Sequence, residues 1–337
     1  MKLDFVHKQS AHCECGVTSN LINHQFKDSG QTISEALTFG MGEGLFFGYL
    51  PFIRVNKLPL TTFRCPVGKI FKQVTSGLGI SVKWEKFRSM DKAMAALDRE
   101  LEKGHPVGCR TGGYWLPYFP PSLRFHFNMH NIVVVGKEKD NYLISDPVFP
   151  DMVECPAKDL AIARFAKGAL APKGSMYRIT KVPETLDLEP AIRRGIKKAA
   201  NAMVKNPVPF LGARGIGFLA NRLERWPRKF DTTTTHLLLG QHIRMQEEIG
   251  TGGGGFRFMY SAFLQEAATI LGEKRLMAVS TQLTESGDTW RRFAVKAARN
   301  CKGRATVDDS FEAMAETLRT CAKIETEAFK ELLDIVS

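Results

Sequence analysis

Several absences narrow what this chain can do. It has no CxxC pair, and its seven cysteines are an odd number without paired spacing. That argues for reduced thiols rather than a disulfide framework. A zinc site would have to use the local cluster His12, Cys13 and Cys15, which lacks the paired thiolates such sites favour, so no metal is expected. No apolar run approaches the length of a membrane span; the best, from Gly44 to Ile53, is short and broken by Pro51. The opening MKLDFVHKQS lacks the charged and then apolar regions of a signal peptide. These features predict a cytoplasmic protein with no integral membrane segment. There is no internal repeat and no low-complexity tract.

Acid is scarce in one place. Between Pro190 and Lys229 stand ten Lys or Arg residues and a single acid, Glu224, in a chain of 337 residues with a net charge of +12. Such a balance suits an acidic partner, whether nucleic acid, anionic lipid or an acidic protein, and it is also what a solvated helix face looks like. No zinc finger, RNA-recognition signature or clear recognition helix supports nucleic acid, so that partner is not expected.

What is present divides into two characters. Residues 12–26 follow a helical pattern through Val17, Leu21 and Phe26. Residues 33–49 read as a second short helix followed by a loop in which Gly40, Gly42, Gly44 and Gly48 alternate with aromatics. Strands are predicted at 58–64, 80–87, 105–110, 130–136, 142–145 and 175–179, and helices at 67–78, 90–102 and 156–165. That mixture is α+β. Past Val182, VPETLDLEP reads as a linker. The patterns after it are helical only: 191–204, 215–225, 233–248, 256–271, 274–298 and 311–336. The expected domains are therefore 1–182, catalytic, and 183–337, all-α.

Cysteine catalysis needs a thiolate, a histidine to carry its proton, and a polar group to orient the imidazole. Cys13 or Cys15 stands at a helix start, where the macrodipole favours thiolate. His130 opens the strongest strand, and Asp146 closes the next one. In an antiparallel hairpin those two ends lie side by side, although sixteen residues separate them in sequence. His126 competes as the base, in a stretch that looks more like loop. His12 and His24 read as local hydrogen-bonders, and the other five cysteines as packed thiols. The aromatic-proline loop from Tyr114 to Pro121 is placed to line a site.

The run HCECGVTSNLINHQF…ISEALTFGMGEGLFFGYLPF resembles the N-terminal domain of the BtrH family, the butirosin-biosynthesis acyltransferase type. The shared marks are His12-Cys13-Glu14, Ser34-Glu35 with Phe39 to Leu45, His130 to Gly136, and Asp146-Pro147. TGGGGFRFMYSAFLQEAA, Thr251 to Ala268, is similar to the helical domain that often follows. The resemblance implies a papain-like fold in the first half and a Cys-His-Asp site. It implies transfer of an acyl or aminoacyl group from a carrier-protein thioester to an amine or hydroxyl acceptor, in secondary-metabolite or lipid biosynthesis. No resident cofactor is implied, since the phosphopantetheine arrives on an acidic acyl carrier protein. The HCE box makes Cys13 the nucleophile; the peptidase-like pattern Q-x5-C-G, through Gln9, makes it Cys15. Gln9 is also a candidate oxyanion donor. Candidate substrate-binding residues are Glu35, Gly42, Gly44, Tyr114 and Arg257. Gly252 to Gly255, just before Arg257, either cradle an anion such as the phosphopantetheine phosphate or make a tight helix entry. The alternatives are a cysteine peptidase or amidase that uses water, and a non-catalytic binding scaffold. The long C-terminal helices offer a homodimer interface.

Overall fold

The computed structural model describes residues 2–55 and 57–337. In chain order come α1 (Cys13–Gln25), α2 (Glu35–Met41), β1 (Leu45–Val55), β2 (Leu58–Arg64), α3 (Lys69–Gly77), β3 (Ser81–Glu85), α4 (Met90–Glu102) and β4 (Val107–Thr111). Next are β5 (His130–Glu138), β6 (Asn141–Ser145), β7 (Val153–Pro156), α5 (Ala157–Arg164) and β8 (Met176–Lys181). The remainder is helical: α6 (Leu188–Val204), α7 (Gly212–Leu223), α8 (Trp226–Lys229), α9 (Thr232–Ile243), α10 (Arg257–Leu271), α11 (Arg275–Cys301) and α12 (Phe311–Ile335). The fold is α+β, as the alternation of patterns predicts. Among the described residues no helix is long and apolar enough to cross a membrane.

Two compact units share the chain: Met1–Thr38 with Ile70–Asp187, and Phe39–Lys69 with Leu188–Ser337. This differs from the expected single break after residue 182. The later break falls at Asp187, and residues 39–69 group with the C-terminal half. Their packing gives the reason. Phe39 stacks on Phe256 at 5.0 Å between ring centroids. A Cβ on Gly40 would fall 2.1 Å from the Phe263 ring. The Tyr49 N–H donates to Phe210 O at 3.0 Å.

The first unit is built on one antiparallel sheet of order β3-β8-β4-β5-β6-β7. Its β5 is buried from His130 to Gly136, so the run of valines reads as continuous rather than alternating. Register pairs Thr111 with His130 on one side of β5, and Val133 with Ser145 on the other. Leu97, Leu101, Val107, Ile132, Val134 and Ile144 belong to the core. Helix α1 packs on β5 and is buried from Glu14 to Ile22.

The C-terminal half is helical, as expected; the second unit is not all-α because residues 39–69 join it. It contains the β1–β2 hairpin, and β1 occupies much of the stretch read from sequence as a glycine-aromatic loop. Gly48 and Pro51 break its alternation, and the pairing itself shifts register between Leu45 and Gly48 and again between Leu50 and Arg54. The helices of this unit close over an ion pair, Arg257 with Glu325, both fully buried. Arg257 Nε and Nη2 donate to the two Glu325 oxygens at 2.9 and 2.7 Å. Ser286 Oγ and Trp290 Nε1 donate to Glu325 Oε1 at 2.7 and 2.8 Å, and Arg257 Nη1 donates to Gly255 O at 2.7 Å.

Removing one partner of such a pair strands a charge in an apolar interior. Glu325→Ala should lower stability by about 3–5 kcal/mol. Arg257→Lys should also lose much of it, because an ammonium cannot make the two-pronged contact. Urea midpoints followed by tryptophan fluorescence report this; a Glu325→Ala midpoint equal to wild type contradicts it.

Candidate active site

The chain enters α1 through His12, which is extended (φ −111°, ψ 115°) and makes no side-chain cap. Cys13 is therefore the first residue of the helix, at its positive end, which it shares with the first-turn acid Glu14. The Glu35 carboxylate accepts from the Ala11 and His12 N–H groups at 3.1 and 2.6 Å, which fixes the backbone that leads into Cys13. Gly16 is required one turn further on. A Cβ there would lie 2.5 Å from the Pro147 ring and 2.7 Å from Ser10 Cβ. Only glycine lets the Asp146-Pro147 turn come this close to α1.

The two cysteines of the helix start are in different surroundings. Cys13 is partly exposed, whereas Cys15 is fully buried, with Sγ 3.0 Å from His12 Nδ1. Cys13 Sγ lies 3.9 Å from both Met129 O and Asn131 Nδ2. His130, at the start of β5, uses Nε2 to bond Asp146 Oδ2 at 2.7 Å. The Cys13 thiol is close enough to add to the forces that favour the protonated ring. Burial pushes the imidazole's pKa down, but the Asp146 charge and hydrogen bond, followed by Cys13, outweigh it and raise it to about 10.

Asp146 directly follows β6 and is wholly buried. Its Oδ2 also accepts from the Tyr118 hydroxyl at 2.9 Å, and its Oδ1 accepts from the Val148 N–H at 3.2 Å. Phe119 sets its ring edge-on to His130, 5.2 Å between centroids at 87°. Asn131 is held by Tyr177, whose hydroxyl donates to Asn131 Oδ1 at 3.0 Å. Sequence reasoning did not single out Asn131, Tyr118 or Phe119. A polar Asn inside a run of buried valines was the available signal for the first.

The remaining candidates fare differently. Gln9 lies with Ser10, Ala11, Glu35 and Val148 around a pocket of about 460 Å³, and its Nε2 reaches Val148 O at 3.5 Å. Glu35 is occupied by backbone N–H groups, and burial raises its pKa. Tyr114 is exposed and stacks on His126 at 4.1 Å, which accounts for the competing base. Two substrate-binding assignments need correction. Gly44 leaves room for Phe39, 2.4 Å from where its Cβ would be. Gly42 is buried. Arg257 is spoken for by Glu325 and has no exposed surface to offer a ligand. The glycine loop before it is also filled from within. All four glycines have positive φ, and the Gly254 N–H donates to both Glu247 oxygens at 3.2 Å. Of the other thiols, burial raises the pKa of Cys109, that of Cys155 to about 12, and that of Cys321 well above its ordinary value. Among the described residues no group of three or more His, Cys, Asp or Glu side chains could hold a metal ion.

The raised pKa of His130 has a stability consequence with a definite sign. A histidine bound more tightly as its cation in the folded state contributes stability that is full below its unfolded pKa of about 6.5. That contribution is lost as pH rises through about 10. The stability margin of wild type over His130→Gln should therefore be largest at and below about pH 6.5 and shrink as pH rises toward 10. Urea midpoints across that window measure it; a margin that grows with pH contradicts the assignment.

No curated protein matches the chain. A crystal structure of a C39-like peptidase from Bacillus anthracis superposes with a TM-score of 0.36 at 14% identity, over 55% of this chain and 100% of that one. Residues 12–147 match the family described as butirosin biosynthesis protein H, N-terminal. Residues 158–332, just over half of the chain, match the domain of unknown function DUF4872. The chain thus belongs to the DUF4872 family and carries a BtrH-type N-terminal domain in front of it.

Proposed function

We propose that this protein transfers an acyl or aminoacyl group from a carrier-protein thioester to an amine or hydroxyl acceptor, by way of an acyl-enzyme on Cys13. The observation that carries the reading is one partly exposed thiol, Cys13, 3.9 Å from polar atoms of the residues on either side of His130, a histidine that is itself anchored on a buried carboxylate. Cys15 is enclosed and engaged with His12, so a substrate carbonyl has no approach to it.

The Cys13 thiolate attacks the thioester carbonyl, forming a new C–S bond. The tetrahedral intermediate collapses and expels the pantetheine sulfur, which takes the proton held on His130. An acceptor amine or hydroxyl then attacks the acyl-Cys13, gives its proton to His130 and expels the Cys13 thiolate. Asp146 keeps the imidazole oriented through both halves without giving up its own charge. Backbone N–H groups at the start of α1, with Gln9 at the lip of the neighbouring pocket, are the candidate donors to the oxyanion. Tyr114, exposed on the loop that leads to Tyr118 and Phe119, is the candidate contact for the acyl or acceptor moiety. The exposed bases of α6 to α8, including Lys197, Lys198, Arg214, Arg225 and Arg228, suit an acidic carrier protein.

Intact-protein mass spectrometry after incubation with a panel of acyl-carrier thioesters tests the reading. Wild type and Cys15→Ala should gain the acyl mass, and Cys13→Ala should not. An adduct lost only in Cys15→Ala transfers the role to Cys15. Peptide hydrolysis without any carrier makes the protein a peptidase. No adduct with any thioester, in folded protein, favours a binding scaffold.

A further inference from the structure

Two donors converge on one oxygen in this site. Asp146 Oδ2 accepts from His130 Nε2 at 2.7 Å and from the Tyr118 hydroxyl at 2.9 Å. The other oxygen, Oδ1, is fixed by the Val148 N–H. The carboxylate is fully buried, so no water competes for these positions. The tyrosine is fastened in turn. Its ring meets Phe149 edge-on at 5.4 Å and lies beside Phe119 at 5.4 Å, while Phe119 itself touches His130. Residue 149 is held from the other side by His7, whose Nε2 is 3.0 Å from Phe149 O and whose Nδ1 is 2.8 Å from Ser145 Oγ.

We propose that Tyr118 is a positioning residue that sets the strength of the His130–Asp146 interaction. The inference rests on the reading of Cys13 and His130 given above. A hydroxyl bound to Oδ2 draws charge away from the same atom that the imidazole uses. It also prevents the carboxylate from turning to offer His130 a different lone pair. The Tyr118 phenol can do this across the working range, because burial and the adjacent Asp146 charge hold its proton on. The titratable groups facing the assembly are Cys13 from α1, His130 from β5, Asp146 after β6 and Cys155 from β7. Among the described residues, Tyr118 and His130 are the side chains that donate to Oδ2, so the tuning falls to them.

The consequence has a direction. Without the hydroxyl, Asp146 presents more charge to the imidazole, and His130 keeps its proton to higher pH. With a stronger donor, His130 gives it up earlier. The readout is the rate of Cys13 alkylation by iodoacetamide against pH, on full-length protein with Cys13→Ala as the blank. Its basic-side step marks loss of the His130 proton and should vanish in His130→Gln. Tyr118→Phe should move that step up by about half to one pH unit. Replacing Tyr118 with 3-fluorotyrosine, a near-isosteric and better donor, should move it down. Opposite shifts from the two changes cannot arise from lost packing alone. Curves that superimpose on wild type would reduce Tyr118 to a packing residue. If Tyr118→Phe does not fold, the fluorinated protein decides alone. A wild-type profile with no step that His130→Gln removes would overturn the Cys13–His130 reading itself, a result distinct from failure of the tyrosine's role.

Discussion

A buried carboxylate at the end of a strand is the constraint around which the first unit is arranged. Asp146 has no exposure to water, so every lone pair it uses must be met by the protein. His130, Tyr118 and the Val148 N–H supply those partners. Each demand has a backbone consequence. The hairpin register sets the start of β5 beside the end of β6, the 112–121 loop must fold inward at Tyr118, and Gly16 must be bare so that the following proline can approach α1. The positioning of Cys13 follows from the same contacts, since α1 starts where the Glu35 clamp and the Asp146-Pro147 turn allow it.

The second unit resolves a similar problem differently. Its buried carboxylate, Glu325, meets a full opposite charge in Arg257, with Ser286 and Trp290 completing the oxygen. That arrangement leaves no free donor and no unsatisfied acceptor on the carboxylate, and it confers rigidity rather than reactivity. In the first unit the counter-charge is a histidine, whose proton can leave. The contrast explains why one buried acid reads as structural and the other as part of a reactive centre, although both are equally inaccessible.

Much of this was legible in the sequence, for identifiable reasons. The strand signal from His130 to Gly136 and the Asp146-Pro147 stop were strong and local, so the His–Asp proximity followed from hairpin geometry alone. The helix beginning at Cys13 was legible from its apolar spacing. What escaped depended on distant partners. Arg257 in the first turn of a helix after four glycines looks like an anion site, and only the arrival of Glu325 from 68 residues away makes it an ion pair. Gly44 and Gly48 read as loop punctuation, yet Gly44 directly precedes a strand and Gly48 lies within it, where the pairing shifts register. Tyr118 lay in a loop rich in aromatics, where no spacing marks which ring turns inward. Cys13 and Cys15 differ in burial, which two residues of sequence separation cannot convey.

On the proposed reading, Asp146 keeps His130 protonated beside Cys13 well past neutrality. The most direct measurement is an NMR titration of the His130 ring, assigned by comparison with His130→Gln, in wild type and in Asp146→Asn. The wild-type midpoint should lie near 10 and fall markedly when the Asp146 charge is removed. A wild-type midpoint at or below the ordinary histidine value of about 6.5, or one indifferent to Asp146→Asn, would contradict it.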